Sequence, residues 1–165
     1  MLKTTLVAAA LLTASGVAHA GGQEGSIGVG AEFMITPITP FALGGASLTY
    51  DAGAFHVGGF LGFEDGDGPD NTDFTIGGRF YYHVHSTAMS DFGIGGSLGI
   101  VSLDAPMGAD RQTGLFIDPG AQIRLFLAAN VAISAQVGVS IGTMDASGVA
   151  ITGQTIGGGI HYYFF

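Results

Sequence analysis

From residue 131 to 142 two kinds of position alternate without a break. Val131, Ile133, Ala135, Val137, Val139 and Ile141 fall on one parity, and Ala132, Ser134, Gln136, Gly138, Ser140 and Gly142 on the other. In an extended chain successive side chains point to opposite faces, so period two marks a strand whose faces meet different surroundings. A soluble sandwich produces the same pattern over shorter strands. Crossing a ~25 Å apolar band at ~40° tilt takes about ten residues, and this segment is long enough. Seven further segments follow the rule, approximately 25–34, 41–50, 54–63, 74–84, 91–101, 114–127 and 151–164. In 114–127, Leu115, Ile117, Ala121, Ile123, Leu125 and Leu127 share a face opposite Asp118, Gln122 and Arg124. In 74–84, Phe74, Ile76, Phe80, Tyr82 and Val84 oppose Thr75, Arg79, Tyr81 and His83. The pattern is weakest in 41–50, where pairing back onto the first strand turns Ala42, Ala46, Leu48 and Tyr50 outward.

The joins alternate too. Those after the second, fourth and sixth strands are short (residues 51–53, about 86–90, and 128–130), and those after the third, fifth and seventh are longer and more polar. Short turns at one end and longer loops at the other, with both termini on the short-turn side, belong to an eight-stranded antiparallel up-and-down transmembrane β-barrel. The first outer loop, Ile35 to Pro40, departs from this by being short.

Composition narrows the surroundings. The chain has 30 glycines, no cysteine, and 10% charged against 47% hydrophobic residues, whereas a soluble domain carries roughly 25% charged residues. Much of the surface therefore faces something other than water. Lys3, the apolar run Leu6–Leu12 and the small-x-small site Ala18-His19-Ala20 make residues 1–20 a cleaved signal peptide and residues 21–165 the barrel domain. The run is too short for a membrane span of ~20 residues, and no cysteine follows the cleavage site to carry a lipid. Beyond residue 20 no stretch approaches eighteen consecutive apolar residues, so a membrane form of the mature chain has to close as a barrel to satisfy its backbone. The expected destination is the outer membrane of a Gram-negative cell, reached through the periplasm.

The end of the chain reads Gly157-Gly158-Gly159-Ile160-His161-Tyr162-Tyr163-Phe164-Phe165. It resembles the C-terminal β-signal of bacterial outer-membrane proteins: Gly159, Tyr162 and Phe164 fit the usual spacing, and Phe165 is one residue beyond it. By pattern, residues 21–165 resemble the small-barrel superfamily that includes the OmpA transmembrane domain, OmpX and the opacity-like proteins. That resemblance implies recognition of the last strand by the barrel-assembly machinery, surroundings of outer-membrane lipid and lipopolysaccharide, and a monomer.

The alternation also assigns an interior: Glu32, His56, Arg79, Tyr81, His83, Asp118, Gln122, Arg124, Gln136, His161 and Tyr163. The lumen of so small a barrel is just wide enough for side chains to fill, and an unpaired charge there costs several kcal/mol. The expectation is a polar plug in which Glu32 and Asp118 satisfy Arg79 and Arg124. Inward glycines leave room for Phe60, Phe116 and Phe126, or alternatively for a narrow conduit. His56, His83 and His161 all fall near the periplasmic end, but no short ligand spacing fixes them together, so neither a metal nor a cofactor is expected. Glu64, Asp65, Asp67, Asp70 and Asp73 make an acidic outer loop in which Pro69 defeats a calcium-loop pattern. It reads as solvated, with weak divalent bridging to lipopolysaccharide as an alternative. Only Arg79, Arg111 and Arg124 are basic after residue 20, which gives nucleic acid nothing to bind.

No enzyme is expected. A lipid-modifying barrel needs Ser, His and an acid together on an outer face near the outer leaflet, and these histidines point inward. A lipocalin-like soluble barrel would need more charge. The reading is a structural or envelope-integrity role with a filled, non-conducting lumen. The alternatives are a surface-interaction (opacity-like) protein acting through acidic loops, and a narrow channel or barrel enzyme.

Overall fold

The computed structural model of the protein describes residues 24–35, 42–65, 72–104, 110–144 and 150–164. Eight strands follow one another: β1 (Ile27–Ile35), β2 (Ala42–Asp51), β3 (Phe55–Asp65), β4 (Thr72–Ser86), β5 (Ser90–Leu103), β6 (Gln112–Ala128), β7 (Val131–Met144) and β8 (Ala150–Phe164). Each pairs antiparallel with the next, and β8 returns to β1 with Ile27 opposite Phe164, which closes the barrel. This is the architecture expected from the alternation. The strands run further at their outer ends than the pattern indicated, so Glu64 and Asp73 are not loop residues but a directly paired couple across β3 and β4. Asp67 and Asp70, the segment 36–41, the signal segment 1–20 and Phe165 lie outside the described residues.

Parity sorts the two faces as read. Outward, Leu61, Ile76, Leu98, Leu115 and Leu127 each keep more than half of their surface exposed. So continuous an apolar exterior exceeds the few hundred Å² that a water-soluble monomer tolerates. Aromatics edge this belt on both sides. Tyr50, Tyr82, Phe92, Tyr162 and Phe164 lie exposed toward the short turns, and Phe33, Phe63 and Phe74 toward the outer loops. Tyr82 and Phe74 stand eight residues apart on β4. At ~3.3 Å per residue and ~40° tilt the two girdles are about 20 Å apart, the order of an apolar bilayer band.

The core is the lumen. Its bulky side chains lie over glycines of neighbouring strands: a Cβ on Gly28 would stand 2.8 Å from the Tyr163 ring, one on Gly99 2.7 Å from the Phe116 ring, and one on Gly77 would overlap Phe60. At the β2–β3 turn Gly53 adopts φ 79°, a conformation that favours glycine. Two irregularities fall together in the opposite wall. The β6–β7 pairing is interrupted between Ile117↔Ile141 and Gly120↔Gly138, where Pro119 brings no N–H to the ladder. Beside it the β7–β8 register shifts between Ser140 and Ile141, with Gly153 at φ 137°.

Candidate functional site

Every inward side chain named from the sequence does face the lumen, where the groups form layers. The layer nearest the short turns is organised by Arg124 of β6, whose side chain is 2% exposed. Its Nε donates to both carboxylate oxygens of Asp91, at 3.0 and 3.1 Å, and Nη2 donates to Asp91 Oδ2 at 2.7 Å. Nη2 also donates to Asp51 Oδ2 at 2.6 Å, and Nη1 to the Tyr163 hydroxyl at 3.0 Å. The guanidinium carbon stands 5.5 Å from the Phe126 ring centre and 5.9 Å from that of Tyr163. Asp51 is held in turn by the Gly53 N–H, 2.8 Å from its Oδ1. The planar five-donor fork suits this arrangement, because it reaches several acceptors at once without leaving a donor buried and unmet.

The histidines of this layer follow from their partners. His83 Nδ1 lies 2.7 Å from the Gly53 carbonyl, which only accepts, so this nitrogen carries the hydrogen. Nε2 of His83 is then the acceptor, receiving from Arg124 Nη2 at 3.1 Å and from His56 Nδ1 at 2.8 Å. His56 stacks on Tyr81 with ring centres 5.5 Å apart. The third histidine, His161, sits elsewhere. Its Nε2 is 2.7 Å from the Ser47 hydroxyl and 3.7 Å from Glu32 Oε2. Among the described residues no three metal-ligating side chains gather.

Above lies the Glu32–Arg79 ion pair, with Arg79 5.1 Å from the Phe60 ring centre. Gln122 Nε2 donates to Gln136 Oε1 at 3.2 Å. Beyond these, toward the outer loops, the lumen turns apolar: Met34, Phe60, Val101 and Phe116 form one buried cluster, and the Phe60 and Phe116 ring centres stand 6.3 Å apart. Between the ion pair and this cluster remains a cavity of about 20 Å³, the room of a single water. At the outer rim Arg111 bonds Asp104 at 2.7 Å and Ser102 at 3.0 Å.

The expected charge pairing is half corrected. Glu32 does pair with Arg79, but Arg124 is satisfied by Asp51 and Asp91, not by Asp118. Asp118 and Arg124 occupy the same face of β6 six residues apart, ~20 Å along a strand, too far for contact. By local pattern Asp51 is a turn residue and Asp91 a strand start. Yet Asp91 shares parity with inward Gly93 and Gly95, and the register places it directly opposite Arg124.

Ser47, His161 and Glu32 bring together the residue types of a hydrolytic triad. The geometry differs from one: serine and acid both approach Nε2, whereas a triad acid orients the histidine through Nδ1. All three are enclosed in the lumen, with His161 4% and Ser47 8% exposed.

No protein-family model and no curated protein matches the chain. Among solved structures it is similar to the N-terminal β-barrel domain of Pseudomonas aeruginosa OprF, with 14% identity and a TM-score of 0.66 over 86% of this chain and 98% of that one. A second similar structure is Ail, the attachment invasion locus protein of Yersinia pestis, with 14% identity and a TM-score of 0.47 over 86% of this chain and 100% of that one. At such identity the likeness to the OprF domain is one of fold: a closed eight-stranded antiparallel barrel.

Proposed function

We propose that this protein is an integral outer-membrane β-barrel with a structural, envelope-stabilising role, and that its lumen is sealed to ordinary solutes. The observation carrying this reading is the stacking of an ion-paired layer around Arg124 beneath an apolar layer of Met34, Phe60, Val101 and Phe116, inside a barrel whose exterior is an apolar belt between aromatic girdles. A channel needs continuous polar space, and an enzyme needs a reachable nucleophile. In this reading residues 1–20 direct export and Gly159, Tyr162, Phe164 and Phe165 present the last strand to the barrel-assembly machinery. Gly159 has a packing reason besides: a Cβ there would stand 2.7 Å from that of Glu32. The monomer sits in outer-membrane lipid, with Glu64, Asp65 and Asp73 facing lipopolysaccharide at the outer rim.

The test is direct. Outer-membrane fractions run on a gel with and without boiling will show two mobilities, folded and unfolded, and planar bilayers holding the purified protein will stay silent. One mobility under both conditions would remove the membrane-barrel reading. Reproducible single-channel steps would remove the sealed lumen. Loss of envelope permeability control in a deletion strain, with unchanged adhesion and lipid A, is the result expected for the role itself.

A further inference from the structure

The barrel wall splits near its outer end. The β2–β3 ladder stops at Gly45↔Gly62. Both strands nevertheless continue, β2 paired with β1 as far as Ala42↔Ile35 and β3 paired with β4 as far as Asp65↔Thr72. Residues 42–44 and 63–65 thus border a notch, each lip held from behind by its other neighbour. In an antiparallel ladder successive residues aim their N–H and C=O alternately at the two neighbouring strands. Each lip therefore presents at least one N–H and C=O that the β2–β3 ladder does not meet, and such groups need partners where water is scarce.

The described side chains leave the notch open. Among the described residues, a Cβ on Gly44 would meet only the Glu32 carbonyl, at 3.9 Å. Phe33, directly opposite Gly44 on β1, leans the other way, and a Cβ on Gly158 of β8 would stand 3.5 Å from its ring. On the β3 lip Leu61 and Phe63 are exposed. Phe33 and Phe63 belong to the outer aromatic girdle, so the notch lies at the interfacial level where lipid ester groups sit. Behind it the cavity of about 20 Å³ lined by Gly44, Gly45, Leu61 and Gly62 admits no acyl chain. Glu64 and Asp65 end the β3 lip as exposed acids, which repel an anionic headgroup and attract an ammonium one.

We propose that this notch is a lateral seat for one diacyl lipid with an amine-bearing headgroup. The seat rests on the outer-membrane reading above. A lip N–H donates to an ester carbonyl of the lipid, the first methylenes lie over Gly44 beside Leu61 and Phe63, and the ammonium group faces Glu64 and Asp65. The apolar belt on either side leads the chain in, and the filled lumen stops it at the wall.

The purified chain is refolded into vesicles of equal parts phosphatidylethanolamine and phosphatidylglycerol, extracted into mild detergent, and weighed by native mass spectrometry. The natural protein will carry a bound phosphatidylethanolamine. Gly44→Trp, which fills the notch, will lose it, and Gly78→Trp, on the same outer face away from the notch, will keep it. A natural protein without lipid, phosphatidylglycerol bound equally well, or equal retention by the two tryptophan variants would each overturn the proposal. Ether-linked phosphatidylethanolamine, which lacks the carbonyl, will be retained severalfold less; equal retention would overturn the proposal too. Gly44→Leu is a smaller filling that reads the seat even if Gly44→Trp does not fold. Its lipid-bound fraction will fall severalfold, and an unchanged fraction would count against the seat as decisively. Gel mobility without boiling is recorded for every sample: a shifted band without lipid removes the seat alone, whereas no shift removes the barrel reading beneath it.

Discussion

Replacing Arg124 by methionine keeps most of the side-chain volume and deletes the guanidinium. Two carboxylates then remain, Asp51 at 0% and Asp91 at 2% exposed, with no cation between them. The Tyr163 hydroxyl loses its donor as well. Removing one partner of a buried ion pair costs about 3–5 kcal/mol, most of it the penalty of the stranded charge. The cost falls on the folded state because neither carboxylate reaches water. Single acid replacements behave differently, since the layer holds two carboxylates against one guanidinium. Asp51→Asn leaves Arg124 with Asp91 and lets the new amide oxygen still accept from Gly53, so about 1–2 kcal/mol is expected. Asp91→Asn removes the charge from a carboxylate that takes three contacts, keeps one oxygen to accept from Arg124, and falls between the two. If stranded charge is the cause, the triple variant Asp51→Asn/Asp91→Asn/Arg124→Met will recover at least half of the Arg124→Met loss. Equilibrium urea unfolding in micelles or vesicles, followed by gel mobility without boiling, measures all four. A cost below about 1 kcal/mol for Arg124→Met, or a triple variant as unstable as the single one, would refute the electrostatic account of this layer.

Glycine substitutions separate the two faces. Gly95→Ala places a methyl against the Phe80 carbonyl and will lose about 1–3 kcal/mol in the same assay. Gly78→Ala faces outward, its nearest neighbour the Gly58 carbonyl at 3.5 Å, and will stay within about 0.5 kcal/mol of the natural protein. Phe60→Ala/Phe116→Ala, which hollows the outer apolar layer, will lower stability by several kcal/mol. It will nevertheless leave planar bilayers silent, because the Arg124 layer still closes the far end; open-channel steps from this variant would place the seal in the aromatics alone.

The fold was readable because a small barrel in lipid imposes one rule along its whole length: every second residue meets the bilayer. That rule is local. It assigns Leu115, Ile117 and Leu125 outward and Asp118, Gln122 and Arg124 inward without any knowledge of what lies across the lumen. Pairing inside the lumen is not local, and there the reading failed in an instructive way. Asp118 and Arg124 share a face yet cannot share a partner, since six residues of strand separate their levels. The acids that do serve Arg124 stand at strand ends, where an aspartate looks like turn chemistry: Asp51 beside Gly53 has the form of a turn residue and acts as one through the Gly53 N–H, while its other oxygen takes the arginine. One carboxylate thus fixes a turn and closes a lumen, and local pattern reveals only the first task. The same limit hid the surroundings of Asp118. That an aspartate precedes a proline is visible in the chain, but that the proline interrupts the ladder opposite Ser140 depends on register between strands. Level as well as parity has to be assigned before charges in such a barrel can be paired. Register supplies part of it: Asp91 stands directly opposite Arg124, six residues from the pair Ser97–Asp118, and Asp51 joins the arginine from across the lumen.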